Sequence, residues 1–357
     1  MGKRYQERRW LLLAGINILV FVYFITSFYF TGTQEVPDLR KYEGLPIISP
    51  VIQPLVRLQE NLFLLIIVSS SPNKRINAER RNMIRKTWAN SNGAHLPNDA
   101  TFKIVFMMGK GVTSEMNLVI KEEEQKYGDL LIGDYEDSYR NISTKLLMAF
   151  YWATKIKCNY VLKTDDDVYV DIAKLVTWLQ GQGEKESLYG GVTLDTNVVR
   201  KKSHKHYVSP SDLALDRYPV FCKGFMYVLS WKLIPKMVHL SRQIGRIGPD
   251  DAYVGILAHQ LGVKPVHIPY FLQNTQMPFL IDYFISTCEL QMLIGIGDSL
   301  TPDQLYYIHK LKTLPNSASI STASCVDFHV KFWVLILSLC ALLFIFLWRR
   351  TRRRRSI

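Results

Sequence analysis

At 357 residues, 48% of them hydrophobic, the chain can hold one large or two ordinary domains and has ample material for a core. The formal net charge of +13 invites a nucleic-acid reading, but six of those charges are C-terminal arginines and three belong to the N-terminal tail. About +4 is left for everything between, which leaves nucleic-acid binding without support.

In chain order, residues 1–9 form a short tail with Lys3, Arg4, Arg8 and Arg9, and residues 10–30 (WLLLAGINILVFVYFITSFYF) carry no charge and are long enough to span a bilayer. This is a signal-anchor pattern with a cytosolic N-terminus. A cleaved signal peptide needs small residues where bulky Phe28, Tyr29 and Phe30 stand. Residues 31–60 hold Pro37, Pro46, Pro50 and Pro54 without a clear period and read as a stem.

The folded domain is expected over 61–315. Leu62 to Val68 is a continuous apolar run of the kind that forms a strand buried on both faces. Ala78 to Trp88 reads as a helix, Phe102 to Met108 as a strand and Ser114 to Tyr127 as a helix. Asp129 to Tyr135 is a strand, Thr144 to Lys157 a helix and Tyr160 to Thr164 a strand. This alternation predicts an α/β layer fold on a mostly parallel sheet.

After a linker at 316–331, residues 332–348 (FWVLILSLCALLFIFLW) predict a second, short span, with a basic tail at 349–357. Arg349, Arg350 and Arg352 to Arg355 place this end in the cytosol too; the alternative is an amphipathic or buried terminal helix. The body between the spans is then lumenal. Of five cysteines, Cys340 lies in the second span, leaving Cys158, Cys222, Cys288 and Cys325 in a compartment where disulfides persist, with three pairings open. The sequon Asn141-Ile142-Ser143 fits a lumenal body as a glycosylation site.

Chemistry concentrates in YVLKTDDDVYV, where an apolar strand runs directly into Asp165, Asp166 and Asp167. Ligands of open α/β sheets bind beyond the carboxyl ends of strands. Extended residues two apart share a side, so Asp165 and Asp167 face one site while Asp166 turns toward the fold or a donor hydroxyl. Two adjacent carboxylates favour a hard divalent ion, Mn²⁺ or Mg²⁺, completed by diphosphate oxygens. A solvated acidic turn before the next helix is the structural alternative, and calcium loops and phosphoryl-transfer enzymes use the same spacing.

A second pair, Asp250-Asp251 in GPDDAYVGILAHQLG, opens a helix running to Gln260. It serves either as charge complementing the helix dipole or as a general base for transfer to a hydroxyl. Arg80, Arg81 and Arg85 lie on the first helix; Arg81 and Arg85 share a face and suit diphosphate contact or framework ion pairing. Lys163 stands beside the aspartates. His204 and His206 in RKKSHKH read as a mobile polar loop rather than a metal site.

Six motifs recur in register: Arg81-x-x-Ile84-Arg85-x-Thr87-Trp88, Phe106-x-x-Gly109, Glu124 to Lys145, Lys163 to Val170, Tyr218 to Ser230, and Asp250 to Gly255. From about Leu62 to about Ile308 the chain resembles the inverting β-1,3-galactosyltransferases and β-1,3-N-acetylglucosaminyltransferases of glycosyltransferase family 31. The resemblance implies a Rossmann-like GT-A fold, a type II Golgi membrane enzyme with a lumenal catalytic domain, a UDP-sugar donor, Mn²⁺, and a β-1,3 linkage made with inversion. The acceptor is a glycan on glycolipid or glycoprotein. Galactose is the first expectation for the sugar, N-acetylglucosamine or N-acetylgalactosamine the alternatives. The metal falls on Asp165 and Asp167, with Asp167 foremost, and Asp251 becomes the base.

Two departures stand out. In Lys223 to Tyr227 (KGFMY) a bulky side chain follows Gly224 where family members usually carry a small residue or second glycine, and Ile296 to Pro302 (IGDSLTP) lacks a histidine that family members often carry as a metal contact. Asp298 is the oxygen ligand expected in its place. These departures keep a silent relative, acting as a chaperone or binding partner, as the alternative class. A phosphoryl-transfer enzyme would need a Walker-type loop, which the sequence lacks.

Overall fold

The computed structural model describes residues 47–54, 62–90, 96–183, 185–273, 287–313 and 338. Its first half runs β1 (Pro50–Ile52), β2 (Leu62–Ser69), α1 (Arg75–Lys86), β3 (Phe102–Lys110), α2 (Ser114–Tyr127), β4 (Leu130–Glu136), α3 (Ile142–Ala153), β5 (Cys158–Asp165), β6 (Tyr169–Val170) and α4 (Ile172–Gly181). The second half adds β7 (Tyr189–Leu194), β8 (Phe221–Ser230), α5 (Leu233–Leu240), α6 (Asp250–Gln260), β9 (Val266–His267), β10 (Phe271–Gln273), α7 (Thr287–Met292), β11 (Gly295–Gly297) and α8 (Pro302–Thr313).

The main sheet has eight strands in the order β1-β4-β3-β2-β5-β8-β7-β9. Strands β4, β3, β2 and β5 are mutually parallel, as helical crossovers require. β8 follows a long segment without a crossover helix and pairs antiparallel with β5, and β7 pairs antiparallel with β8. The sheet is therefore mixed: a parallel half of alternating strands and helices, extended by antiparallel pairing. A smaller sheet, β10-β11-β6, covers the end of β5 from the C-terminal side of the chain.

β2 shows why the parallel half holds. Leu64, Ile66 and Val68 join one core with Ile84 and Trp88, Ile120 of α2, and Leu175 and Leu179 of α4. Leu65 and Ile67 point the opposite way and are equally buried. Each such side chain contributes ~1.5–3 kcal/mol on burial, so no face of this strand tolerates a charge. α2 is fixed at both ends: Thr113 Oγ1 accepts from Met116 N–H at 3.2 Å, and Gly128 takes the left-handed conformation (φ 60°) that ends the helix.

Several boundaries differ from the sequence expectation. α1 starts at Arg75 rather than Ala78 and stops before Trp88, and α3 spans Ile142–Ala153 rather than Thr144–Lys157. The sheet also begins inside the expected stem, because Pro50–Ile52 pairs with β4. An edge position with proline as first residue accommodates it, since no ladder donor is lost there.

Cys158 and Cys222 are buried free thiols, which removes the pairings that join them to another cysteine. The expected spans at 10–30 and 332–348 lie outside the described residues except for Ser338, and so do the linker and both basic tails. Among the described residues no helix is long and apolar enough to cross a membrane.

Candidate active site

β5 lies between β2 and β8, so its carboxyl end opens at the junction of the parallel and antiparallel halves. Lys163, near that end, is almost fully buried. Its Nζ donates to Asp165 Oδ1 at 2.7 Å and to the Gly224 carbonyl at 2.5 Å, and lies 3.8 Å from Asp250 Oδ2. Burial by itself would depress the lysine pKa; the charges of Asp165 and Asp250 override it and hold the ammonium above its ordinary value.

The three aspartates are placed very differently. Asp166 is buried against the fold, its Oδ2 accepting from Ser70 Oγ at 2.6 Å and Asn77 Nδ2 at 2.8 Å. Asp165 is held by Lys163. Asp167 has one oxygen 3.9 Å from Arg80 Nη1, while its Oδ1 is buried with no hydrogen-bond partner. Burial raises the pKa of all three carboxyls, and in Asp165 the neighbouring Asp167 adds to it against Lys163.

Asp298 enters from the loop after β11. Its Oδ2 accepts from Gln273 Nε2 at 3.3 Å, and Gln273 Oε1 in turn accepts from Lys223 Nζ at 2.6 Å. The other oxygen, Asp298 Oδ1, is buried and unpartnered like Asp167 Oδ1. The two carboxylates are close enough for Asp298 to push the Asp167 pKa upward. Arg80 ties the two segments together by donating from Nε to the Leu300 carbonyl at 2.9 Å.

Asp250 and Asp251 open α6 next to Lys163. Asp250 is buried beside the lysine. Asp251 accepts from the Gly224 N–H at 3.0 Å and the Ala252 N–H at 2.8 Å. Burial, then the adjacent Asp250, pushes its carboxyl up to about 6. Gly224 allows this approach: a Cβ there would lie 3.2 Å from Asp251 Oδ2.

The candidate diphosphate arginines go elsewhere. Arg81 is buried and forks onto Glu123 at 2.8 and 2.6 Å, with Nη1 on Ser70 Oγ and the Ser71 carbonyl. Arg85 forks onto Asp129 at 2.7 Å on both arms, reaches Glu123, and stacks over Phe106 and Tyr127. Both are framework cations, and Arg80, one position earlier and so rotated about 100° around the helix, is the arginine that faces the aspartates. The single-residue offset on a helix was the available signal.

No three His, Cys, Asp or Glu side chains converge on a possible metal position among the described residues. A cation here has the free oxygens of Asp167 and Asp298 and must draw its remaining ligands from what it binds. His204 and His206 do not form a metal pair either. Their loop is pinned instead of mobile, since Arg200 donates to the carbonyls of Val208, Leu213 and Leu215.

Two residues near α6 escaped notice in the sequence. Tyr139 precedes α3, whose Ser143 Oγ donates to the Ile247 carbonyl at 2.7 Å and also contacts the Gly248 carbonyl, just before Asp250. Tyr218 is buried with its hydroxyl unpartnered, and burial, then the Asp251 charge, raises its pKa. Both sit inside motifs quoted for other residues. The sequon Asn141 is partly buried and donates to the Glu136 carbonyl at 2.9 Å.

The family described as Galactosyltransferase matches residues 79–269, which contain Lys163, the Asp165 to Asp167 run, Gly224, Asp250 and Asp251 but not Gln273 or Asp298. Rat UDP-GalNAc:beta-1,3-N-acetylgalactosaminyltransferase 1 is 30% identical over 296 residues, covering 80% of this chain and 86% of the relative. Its human counterpart is 28% identical over 296 residues, with the same coverage of 80% and 86%. The lactosylceramide 1,3-N-acetyl-beta-D-glucosaminyltransferase of Xenopus tropicalis is 28% identical over 346 residues, covering 94% of this chain and 88% of its own length. A solved galactosyltransferase LgtC in complex with donor and acceptor sugar analogues overlays with a TM-score of 0.35 at 12% identity, covering 74% of this chain and 97% of that one, too loosely to carry an argument.

Proposed function

Because this chain belongs to the galactosyltransferase family, we propose that it is a β-1,3-glycosyltransferase that moves a sugar from a UDP-sugar to a glycan hydroxyl with inversion. The observation that carries the reading is the division of labour around Lys163. Asp167 and Asp298 hold unpartnered buried oxygens, while Asp251 is a separate carboxylate with a raised pKa.

Asp167 and Asp298 are the residues that would hold Mn²⁺, or Mg²⁺, and Asp165 stays paired with Lys163. Bound there, such an ion supplies neutralisation of charge on a leaving diphosphate. The protein's own contribution is at Asp251. As the acceptor oxygen bonds to the anomeric carbon and the bond from that carbon to the diphosphate oxygen breaks, Asp251 takes the hydroxyl proton. Gly224 N–H orients that carboxylate, and Asp250 and Lys163 set the charge behind it.

For the donor, galactose is the sugar first expected from the motifs. The names of the relatives favour a second reading, an N-acetylhexosamine. Residence in the Golgi membrane, with a cytosolic N-terminus and lumenal catalytic domain, rests on the resemblance and the apolar segments at 10–30 and 332–348; protease protection of tagged termini tests it. Glycosylation of Asn141 is tested by a mobility shift on enzymatic deglycosylation.

The deciding assay is UDP release by the full-length chain with UDP-galactose, UDP-N-acetylgalactosamine and UDP-N-acetylglucosamine, with and without Mn²⁺, over a panel of acceptor glycans. Release with one donor and one acceptor class names the reaction. UDP binding without release from a folded chain supports the silent relative instead.

A further inference from the structure

The segment between Arg200 and Arg217 has no part in the reaction described above, yet it is built and not merely tethered. Arg200 closes it onto three carbonyls; His204 N–H bonds to the Lys201 carbonyl at 2.9 Å, and Val208 N–H to the Val199 carbonyl at 3.1 Å. At its tip His206 meets Tyr139, with the Tyr139 hydroxyl 2.5 Å from Nδ1 and the rings edge to face at 5.7 Å. That contact fixes the loop beside the mouth of α6. The charge of Asp250 acts on both His206 and Tyr139, and that of Asp251 on Tyr139.

The loop carries five cations, Arg200, Lys201, Lys202, Lys205 and Arg217, against two carboxylates, Asp212 and Asp216. Arg200 is spent on carbonyls and Arg217 pairs with Asp195 at 2.6 Å. Lys201, Lys202 and Lys205 are exposed and form no ion pair with a described residue. Fully solvated lysines on a floppy loop would be unremarkable. Here they sit on a pinned loop whose His206 meets Tyr139, a residue that feels the charges of Asp250 and of the candidate base Asp251.

We propose that the acceptor is an acidic glycan, and that Lys201, Lys202 and Lys205 receive its carboxylate, sulfate or phosphate group while Tyr139 and His206 wall the neighbouring sugar. The proposal rests on the glycosyl-transfer reading and deepens it by naming the acceptor's charge. Fixed cations beside a cleft raise the local concentration of an anionic ligand, and salt screens the effect. An aromatic face presented with a polar tip suits a sugar ring, which has one apolar and several polar edges.

The test compares neutral acceptors with sialylated, sulfated and phosphorylated ones ending in the same reactive sugar, using the full-length chain and its Lys201→Gln/Lys202→Gln/Lys205→Gln variant. The wild type is expected to show a KM about tenfold lower for one acidic acceptor than for its neutral counterpart, and the difference to shrink between 50 and 500 mM salt, as ~Debye screening requires. In the triple variant that preference vanishes, while the KM for the UDP-sugar and for neutral acceptor stays unchanged. Equal KM values for acidic and neutral acceptors in the wild type overturn the proposal. So does a preference that survives in the variant. Loss of binding to anionic vesicles in the variant, with acceptor KM untouched, overturns it in favour of a membrane-facing loop. Failure of the wild type to transfer to any acceptor, with UDP still bound, removes the transfer reading itself and this proposal with it.

Discussion

Two clusters of charge meet at Ser70, which bonds both Arg81 and Asp166, and are built on opposite rules. In the framework cluster every ion is answered: Arg81 and Arg85 share Glu123, Arg85 forks onto Asp129, and Lys145 meets Asp137 at 3.3 Å. In the aspartate cluster, Asp167 Oδ1, Asp298 Oδ1 and Asp250 Oδ2 are buried without a hydrogen-bond partner. Leaving such groups unpaired costs stability. A fold that fully satisfies one cluster and leaves its neighbour unsatisfied keeps the second for binding and chemistry. Residue type does not separate the two; the unpartnered oxygens of Asp167, Asp298 and Asp250 do.

The comparison breaks most visibly at Arg81. Arg81→Met removes the fork on Glu123 and leaves Arg85 as its remaining cation, so the cost reaches at most the about 3–5 kcal/mol of breaking an isolated buried pair. Urea denaturation is expected to show a drop of up to that size, with activity per folded molecule preserved. Asp251→Asn gives the reverse pattern: kcat falls by about 10²–10⁴, the range for loss of a general base, and the donor KM holds. Its melting temperature does not fall. The raised Asp251 pKa means that the folded state binds the proton more tightly than the unfolded one, so the protonated form favours folding and that benefit is lost as pH rises through about 6.

Activity follows the same group with the opposite sense. The base works ionised, so kcat/KM is expected to fall about tenfold per pH unit below roughly 6 and to be flat just above it. A pH-rate profile checks this, and the acid limb disappears in Asp251→Asn. The smallest effect is at Gly224→Ala, where the new Cβ, 3.2 Å from Asp251 Oδ2, moves the carboxylate by a few tenths of an ångström. A loss of about tenfold in kcat is expected, with circular dichroism unchanged.

Much of the parallel half was legible in the sequence because β2 through β5 alternate with helices of ordinary length, and continuous apolar runs such as Leu62–Val68 allow one reading. The antiparallel half was not. β8 reads in sequence as a motif around Gly224, and nothing local says that it pairs with β5 in reverse. At the site, the period of two turned Asp166 toward the fold, where Ser70 and Asn77 hold it, but did not separate Asp165 from Asp167. Asp165 turns to Lys163. The partners of Asp166 lie up to 96 residues away along the chain, beyond any local pattern, whereas Lys163 stands two residues from Asp165. The choice left open for the arginines, diphosphate contact or framework ion pairing, was out of local reach for a related reason: helix spacing groups Arg81 with Arg85, while Glu123 and Asp129, which pair with them, come from α2 and the turn after it.

The claim that unpartnered carboxylates mark the chemistry is tested most directly by Asp167→Asn, measured for thermal melting and for sugar transfer beside the wild type. The account predicts a melting temperature equal to or above the wild type and a loss of transfer of at least about 100-fold, on the scale of removing one key electrostatic group. Transfer at the wild-type rate, or a variant that melts well below the wild type, would contradict it and make Asp167 one more framework residue.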